Sequence, residues 1–246
     1  MPTYSKPLVI IPTYNEVESI LLLLQKLALL PVNVLVVDDN SPDGTAELVE
    51  GYAKIQHGVQ VLRRPKKSGL GDAYREGFLK SRLESCSWVI QMDADGSHQV
   101  SDLIKILEFL DGNMEVDLVI GSRWIKDGKT LGWSKRRLAL SRTANLIAKA
   151  SLHSSVKDLT AGFKILSNNA VNFLLEHNLN TKGYGFQIES TILLERANFK
   201  VVEIPITFVE RTAGKSKMHG RIILEAILLL LKLKFSSRLN SRNLIE

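Results

Sequence analysis

The sequence predicts an α/β fold: a mostly parallel sheet with helices on both of its faces. Two observations carry this prediction. Short runs rich in Val, Ile and Leu alternate along the first half of the chain with longer amphipathic segments, which is the pattern of repeated β-α-β units. The short runs are apolar at nearly every position, so both faces of each strand are expected to be buried, as in a parallel sheet.

Each strand of the first half is predicted from one apolar run, and each helix from the amphipathic segment that follows it. The strands are LVII at 8–11, VNVLVV at 32–37, VQVL at 59–62, WVIQM at 88–92 and VDLVI at 116–120. The helices between them are predicted at 16–29, 43–54, 72–83 and 101–110. Such strand-to-strand crossovers are right-handed in a parallel sheet. We expect one domain over residues 1–218, followed by an amphipathic C-terminal helix and tail over 219–246.

Composition limits the class of protein. With 246 residues, 45% of them hydrophobic and 24% charged, the chain can bury a large globular core, so disorder is excluded. The single cysteine, Cys86, excludes an internal disulfide framework and a multi-cysteine metal cluster, and we expect it to be chemically inert. No apolar run approaches the length that spans a bilayer, which predicts a cytoplasmic protein. The net charge of +6 favours anionic partners: nucleic acid, phosphorylated substrates or an acidic membrane surface.

Polar segments follow three of the predicted strands. PTYNE follows the first strand, DDNSPDGT follows the second and DADGSH follows the fourth. In an open parallel sheet, ligands bind at the carboxyl ends of the strands. The three segments are therefore expected to meet at one edge of the sheet and to form the binding site.

The first two of these segments have the chemistry of a nucleotide site. Asp39 ends a buried strand directly after another carboxylate, so it must be hydrogen-bonded or paired, and a base or ribose would supply donors. Tyr14 offers a flat face for a base, and Glu16 offers an acceptor. Ordinary turn chemistry is the alternative, with Ser41 as a helix N-cap and Pro42 at the first helical position.

Asp93 and Asp95 predict a metal site. Residues two apart on an extended strand project to the same face, where two like charges raise one another's pKa unless a cation lies between them. Mg²⁺ and Mn²⁺ prefer carboxylate oxygens and commonly bridge to substrate phosphates. The alternative is a solvated acidic loop at the start of the helix predicted from residue 101.

Two other nucleotide-binding motifs are excluded. A phosphate-binding loop ending at GKS 214–216 needs a glycine where Val209 stands. The glycines at 69 and 71 are followed by Tyr74 where a dinucleotide fingerprint needs its third glycine. A nicotinamide cofactor is therefore not expected.

The motifs taken together resemble those of one family of enzymes. PTYNE, DDNSPDGT, GLGDAYREG, MDADGSH, GSR, LSRTAN, LTAGFK, GYGFQIE, EIPITFVER and GKSKM occur in this order. This combination resembles the polyprenyl-phosphate (dolichyl-phosphate) mannose synthases, especially the bacterial polyprenol monophosphomannose synthases, over about residues 8–218. The resemblance implies a GT-A nucleotide-diphospho-sugar transferase fold. It also implies metal-dependent, inverting transfer of mannose from GDP-mannose to a polyprenyl monophosphate at the cytoplasmic face of a membrane.

The resemblance also implies site residues. Donor contacts are expected at Pro12, Tyr14 and Glu16, with Val37 and Asp39 at the nucleoside. Asp93, Ala94 and Asp95 are expected around Mg²⁺ or Mn²⁺, with Ser97 as a third metal ligand or with water in its place. Phosphate-binding positions are expected at Arg123, Arg211 and Lys217.

The residues themselves agree with this chemistry. A divalent ion with Arg and Lys side chains would stabilise the charge of leaving GDP, so Asp95, Arg123 and Arg211 are expected to be catalytic. The acceptor is a phosphate monoester, already anionic near neutral pH, and needs no general base. It needs positive charge to hold it in line. Candidates in the segment 129–142 are Lys135, Arg136, Arg137 and Arg142, the last of which we also expect to be catalytic, together with Trp133.

Alternatives remain for several of these patterns. The basic segment is also typical of a solvated helix face. Gln187 and Glu189 are expected to touch sugar hydroxyls, although a helix start at Gly183 to Gly185 explains part of that motif equally well. The apolar segment 221–235 with its flanking Arg221, Lys232, Lys234 and Arg238 predicts an interfacial helix on an anionic membrane. A core helix, or a docking helix for a separate membrane-anchor subunit, fits its length as well.

Two other functions compete with mannose transfer. The nearest is the same reaction with UDP-glucose, because the motifs specify the diphosphate and metal better than the base or the sugar. The second is a basic RNA-binding or scaffolding protein that retains a degenerate nucleotide fold. The Asp93 and Asp95 pair with Arg211 and Lys217 argues against it, so a nucleic-acid partner is not expected.

Overall fold

The computed structural model describes residues 6–84, 86–177, 179, 181, 183 and 185–211. Its strands are β1 (Leu8–Thr13), β2 (Asn33–Asp38), β3 (Val59–Arg63), β4 (Trp88–Gln91), β5 (Leu118–Ser122), β6 (Lys129–Leu131), β7 (Lys164–Ser167), β8 (Val201–Pro205) and β9 (Thr207–Val209). Its helices are α1 (Ile20–Leu27), α2 (Thr45–Ala53), α3 (Leu70–Glu84), α4 (Val100–Asp111), α5 (Lys135–Leu152), α6 (Asn168–Glu176) and α7 (Gly185–Arg196).

Seven strands form the main sheet, in the order β3-β2-β1-β4-β7-β5-β8. The pairs among β1, β2, β3 and β4 are parallel, and so is the pair of β5 with β8. Strand β7 is antiparallel to both of its neighbours, β4 and β5. The predicted mostly parallel sheet is therefore confirmed, and the antiparallel strand inserted between β4 and β5 is a feature that the sequence did not predict.

Alternate strand residues supply two apolar cores, one on each face of the sheet. Leu8 and Ile10 point into the core formed with α3, α6 and α7. Val9 and Ile11 point into the core formed with α1 and α4. The prediction that helices cover both faces is confirmed, which explains why the strands are apolar at successive positions.

Two helices begin later than predicted. Helix α1 begins at Ile20 because residues 17–19 form a turn, in which the backbone carbonyl of Glu16 accepts from the N–H groups of Ser19 and Ile20. Helix α2 begins at Thr45, with Gly44 as N-cap at φ 88°. Ser41 is therefore not the N-cap, and the interpretation of Ser41 and Pro42 as a helix start is wrong.

Strands β6 and β9 form a separate parallel pair. Strand β9 lies against the segment that follows β4, because the Val209 N–H donates to the Ser97 carbonyl at 3.1 Å. This pair positions residues 209–211 beside the carboxyl end of β4. The predicted tail helix lies outside the described residues, and none of the helices within them has the length and apolar character needed to cross a bilayer.

Candidate active site

The three polar segments meet at the carboxyl ends of β1, β2 and β4. The backbone N–H of Asn15 donates to Ser41 Oγ at 3.1 Å, and that of Val17 donates to Asp43 Oδ2 at 3.1 Å. The third segment joins them through β4, where the Met92 N–H donates to the Ile10 carbonyl at 3.2 Å. The predicted convergence of the three segments is confirmed.

Asp38 holds the first two segments together. Its carboxylate accepts from Thr13 Oγ1 at 2.8 Å, from the Ser41 N–H at 2.8 Å and from Ser41 Oγ at 2.6 Å. Asp38 is almost fully buried, so these bonds offset the loss of its hydration. Ser41 therefore links the loop after β1 to the loop after β2 through its hydrogen bonds.

Asp39 is paired, as its position at the end of a buried strand predicts. Its partner is the buried guanidinium of Arg64, which also donates to Glu76 Oε1 at 2.9 Å and contacts Ser68. Burial raises the pKa of Asp39, and the charges of Arg64 and Lys67 oppose that rise. The parallel register aligns Asp38 with Arg63, so Arg64 stands beside Asp39. The sequence signal for Arg64 was only a basic loop after β3.

The other residues expected to contact the donor near its nucleoside differ in how deeply they are buried. The Val37 side chain is completely buried in the core, and the expected nucleoside contact at this position stays a prediction. Tyr14 and Pro12 are half-buried at the end of β1. The ammonium of Lys67 lies 3.8 Å from the centre of the Tyr14 ring, which places a cation over one face of this candidate base platform.

The segment with Asp93 and Asp95 is a turn. Strand β4 ends at Gln91, residues 94–96 form the turn with Gly96 at φ 75°, and the Ser97 N–H donates to Asp95 Oδ1 at 3.0 Å. The premise that the two aspartates project from one face of an extended strand is therefore wrong. The turn arises because the aspartate side chain bonds the backbone two residues on, while glycine supplies the positive φ.

His98 is a site residue that sequence reasoning missed. The Asp93 N–H donates to His98 Nδ1 at 3.1 Å, so that nitrogen is unprotonated, and Nε2 lies 3.8 Å from Asp93 Oδ2. The imidazole is buried and stacks on Phe163 with 4.9 Å between ring centres. Burial raises the pKa of Asp93, and the charge of Asp95 adds to this rise; the neighbouring His98, Arg211 and Arg123 side chains oppose it.

Asp95 lies beside the guanidinium of Arg211. Its Oδ2 lies 3.5 Å from Nε of Arg211, the residue that follows β9 and Glu210. Ala94 is buried in the core, and Ser97 is buried beside Asp95. Lys217 lies outside the described residues.

The carboxylates of this turn fit a divalent cation that is shared with a substrate. Within the described part of the chain, no set of three or more His, Cys, Asp or Glu side chains is arranged to hold a metal. Mg²⁺ sites that use phosphorylated substrates need only one or two carboxylates, because the phosphates and water supply the other ligands. Asp93 and Asp95 supply that number of carboxylates beside the cationic Arg211.

Arg123 is fixed by a buried ion pair. Its Nε and Nη2 donate to the two carboxylate oxygens of Asp158 at 2.8 and 2.7 Å, and Nη2 also donates to Thr160. The backbone N–H groups of Lys157 and Asp158 donate to the carboxylate of Glu203 at 2.8 and 2.9 Å. Arg123 is thus held rigidly at the end of β5.

Helix α5 brings further cations to two tryptophans. The Arg137 guanidinium lies 4.3 Å from the centre of the Trp133 ring and pairs with Glu210 at 2.6 Å. The Arg142 guanidinium is exposed and lies 5.1 Å from the Trp124 ring, while Arg123 lies 5.0 Å from the same ring. The remaining predicted basic residues, Lys135 and Arg136, are exposed.

The side chains of Gln187 and Glu189 lie in different surroundings. Both lie on helix α7, where positions two apart point in different directions. The Glu189 carboxylate accepts from the backbone N–H of Thr181 at 2.9 Å and from its hydroxyl. The two side chains therefore point in different directions, and their expected contacts with sugar hydroxyls stay a prediction. Gln187 remains beside Asp93, with its carboxamide buried.

Solved structures share this fold at low sequence identity. The chain aligns to the mannosyltransferase PcManGT from Pyrobaculum calidifontis, in complex with GDP-Man and Mn²⁺, with a TM-score of 0.61 and 18% identity over 97% of this chain. It aligns to residues 1–349 of TarS from S. aureus, in complex with UDP-GlcNAc, with a TM-score of 0.62 and 17% identity over 93% of this chain. The chain spans 66% of each of those structures. They support a GT-A fold.

Curated proteins match at higher identity. The chain is 41% identical over 222 residues to the undecaprenyl-phosphate mannosyltransferase of Micrococcus luteus, covering 89% of this chain and 90% of that protein. It is 41% identical over 225 residues to the polyprenol monophosphomannose synthase of Mycolicibacterium smegmatis, covering 90% and 84%. The model of glycosyl transferase family 2 matches residues 8–175. The chain belongs to glycosyl transferase family 2.

Proposed function

We propose that this chain is a polyprenyl-phosphate mannosyltransferase that takes mannose from GDP-mannose. The observation that carries the proposal is the match to two enzymes of this kind over about nine tenths of the chain. The geometry supports it, because the carboxylate turn and Arg211 lie at the sheet edge where this fold binds its ligands. A nucleotide sugar with its diphosphate bound to a divalent ion suits such a site.

The donor half of the site is proposed to lie between the ends of β1, β2 and β4. Tyr14 and the Asp39–Arg64 pair border the expected nucleoside position. Asp93 and Asp95 would hold Mg²⁺ or Mn²⁺, which when bound supplies positive charge for the departing diphosphate. Arg211 would add a second positive charge beside Asp95, with Lys217 expected on the same side.

The acceptor half is proposed to be the cationic surface formed by Arg137 and Arg142 around Trp124 and Trp133, with the buried Arg123 beside Trp124. A phosphate monoester is a strong acceptor for such donors. Its oxygen attacks the anomeric carbon of mannose while the bond from that carbon to the GDP oxygen breaks. This single displacement inverts the anomeric centre, and because the nucleophile is already an anion it requires no general base.

We further propose that residues 1–218 form the catalytic domain and that 219–246 bring it to the cytoplasmic face of a membrane. The apolar and basic composition of 221–235 supports an interfacial role. Deleting residues 221–246 should abolish co-sedimentation with anionic vesicles. Unchanged co-sedimentation would contradict direct membrane binding, and binding that requires a second membrane protein would indicate an anchor subunit.

The function is tested by sugar transfer into lipid. Purified protein is incubated with undecaprenyl phosphate and Mn²⁺, with radiolabelled GDP-mannose in one set and radiolabelled UDP-glucose in a parallel set. We expect label in the organic phase only from GDP-mannose. Incorporation of glucose instead would overturn the donor assignment, and no incorporation from either donor would overturn the proposed reaction.

A further inference from the structure

Gln187 carries a buried carboxamide whose oxygen and nitrogen have no hydrogen-bond partner within the described residues. The residue is only 3% exposed. Leaving a buried polar group without a partner costs about 1–3 kcal/mol, so an unpartnered amide beside a binding site indicates a ligand that completes it. Among the described residues, Tyr74, Gln91, Trp124 and Trp133 also have buried polar atoms without a partner, but the Gln187 amide is the one that borders the same space at Gly162 as Asp93 Oδ2.

The carboxamide faces a small space that it shares with Asp93 and His98. A methyl group added at Gly162 would stand 3.7 Å from Asp93 Oδ2, 3.8 Å from Gln187 Nε2 and 3.6 Å from His98 Cε1. The three side chains therefore surround one point, and the space exists because residue 162 has no side chain. A group placed there would contact both a carboxylate and an amide.

Hydrogen bonds fix the main chain of Gln187, whereas its side chain has no partner among the residues that the structure describes. Nζ of Lys164, which is fully buried, donates to the Gln187 carbonyl at 2.6 Å and to Ser190 Oγ at 3.2 Å. The Thr191 hydroxyl donates to the same carbonyl at 3.0 Å. Strand β7 and helix α7 thus fix the position of Gln187, as a preorganised binding residue requires.

We propose that the Gln187 carboxamide binds hydroxyl groups of the donor sugar beside Asp93, and that it is a determinant of sugar selection. The proposal rests on the proposed function, because it takes the nucleotide sugar as the ligand. An amide donates and accepts at once, which suits a sugar carrying adjacent hydroxyl groups. The sugar of the donor is attached to the diphosphate, so it lies near the metal-binding carboxylates. Lys164 acts as a positioning residue for this contact.

Three variants test the proposal. Gln187→Met removes the amide at nearly constant volume. Gly162→Ala fills the shared space without altering Gln187, at ordinary contact distances. Gln91→Met is the matched control, because Gln91 is also a buried, unpartnered amide, but it is completely buried within strand β4. Affinities for GDP and for GDP-mannose are measured separately with Mn²⁺, together with kcat/KM for mannose transfer.

We expect Gln187→Met and Gly162→Ala to weaken GDP-mannose binding and to lower kcat/KM by roughly tenfold or more, with GDP affinity retained within about twofold. Gln91→Met should resemble the wild type in all three measurements. If Gln187→Met fails to fold, Gly162→Ala and the control decide the question.

Equal weakening of GDP and GDP-mannose, or unchanged kcat/KM in the folded variants, would overturn the assignment of Gln187. A space filled only by an ordered water would give the second of these results. If the wild type itself does not transfer mannose from GDP-mannose, the proposed function fails first, and the GDP measurements show whether nucleotide binding survives.

Discussion

Asp158 is completely buried and binds the guanidinium of Arg123 through both of its carboxylate oxygens. Two charges in the interior are tolerated because each neutralises the other and their hydrogen bonds are satisfied. Removing one partner leaves a buried charge without compensation. Arg123 therefore depends on Asp158 for its position, whatever else it binds.

Asp158→Asn should destabilise the fold by about 3 kcal/mol or more, because Arg123 would keep its charge in a buried site. Urea unfolding measures this. The matched control is Glu115→Gln, which removes the exposed ion pair of Glu115 with Lys200 and should leave the unfolding midpoint unchanged. Equal effects of the two substitutions would contradict the importance assigned to the buried pair.

Lys164 links stability to pH. Burial lowers the pKa of its ammonium to about 7 from an ordinary value of 10.5. Below about pH 7 the side chain is protonated in both the folded and unfolded states. Between about 7 and 10.5 the unfolded chain keeps a proton that the folded protein has lost. The free energy of unfolding contributed by Lys164 therefore rises with pH across this window.

Lys164→Met removes this titration. The stability of the wild type relative to Lys164→Met should increase by several kcal/mol between about pH 6.5 and 9.5. Urea unfolding of both proteins at a series of pH values measures the difference, and shared titrations of other groups cancel. Parallel pH profiles for the two proteins would show that Lys164 keeps an ordinary pKa when folded.

The residue-scale chemistry was only partly predictable from the sequence. Asp39 could be assigned a partner because a carboxylate ending a buried strand needs one, but Arg64 could be identified only after the register of β2 and β3 was known. His98 gave no sequence signal, because its role arises from its contacts with Asp93 and Phe163. The nucleoside contact expected at Val37 stays a prediction, because strand β2 buries its side chain but leaves open what its backbone contacts.

At the scale of elements, helix α5 is attached to the domain by few of its residues. Its buried residues are Asn145, Ala148 and Leu152. The Asn145 side chain donates to the carbonyl of Lys157 and accepts from the Leu159 N–H at 2.9 Å. This amide therefore fastens the helix that carries Arg137 and Arg142 to the loop before β7.

Asn145→Ala should loosen α5 and destabilise the fold by about 1–3 kcal/mol, since it leaves the buried Leu159 N–H without a partner. Hydrogen exchange of α5 amides should accelerate more than that of β1. Leu146→Ala, at a position that is 63% exposed, is the control and should change stability by less than about 0.5 kcal/mol. Unchanged exchange in Asn145→Ala would show that other contacts hold the helix.

The elements of the first half could be predicted because a continuous apolar run and an amphipathic helix leave clear patterns. Strand β7 was not predicted, because it is four residues long and only its two middle residues, Ile165 and Leu166, are apolar. Its antiparallel insertion between β4 and β5 follows from tertiary pairing alone. The turn after β4 was also misjudged, because the bond from the Ser97 N–H to Asp95 ends the extended conformation.

At the scale of the whole molecule, the sheet brings residues from distant parts of the chain to one edge. The parallel alignment of β1, β2 and β4 joins the three polar segments, and the β6 and β9 pair adds Arg211 from near the end of the described chain. The first convergence was predictable, because the carboxyl ends of parallel strands meet. The second was not, because short strands in a two-stranded sheet have no distinctive sequence pattern.

The most direct test of the account is the metal dependence of mannose transfer, measured in the wild type and in Asp95→Asn. We expect EDTA to abolish transfer from GDP-mannose to undecaprenyl phosphate by the wild type, and Mn²⁺ or Mg²⁺ to restore it. Asp95→Asn should remain folded and lose at least about a hundredfold in rate, equivalent to a few kcal/mol of transition-state stabilisation. Asp111→Asn, at an exposed position at the end of α4, should match the wild type. Transfer that is insensitive to EDTA, or a wild-type rate in Asp95→Asn, would contradict the central claim that this carboxylate turn is the metal-dependent donor site.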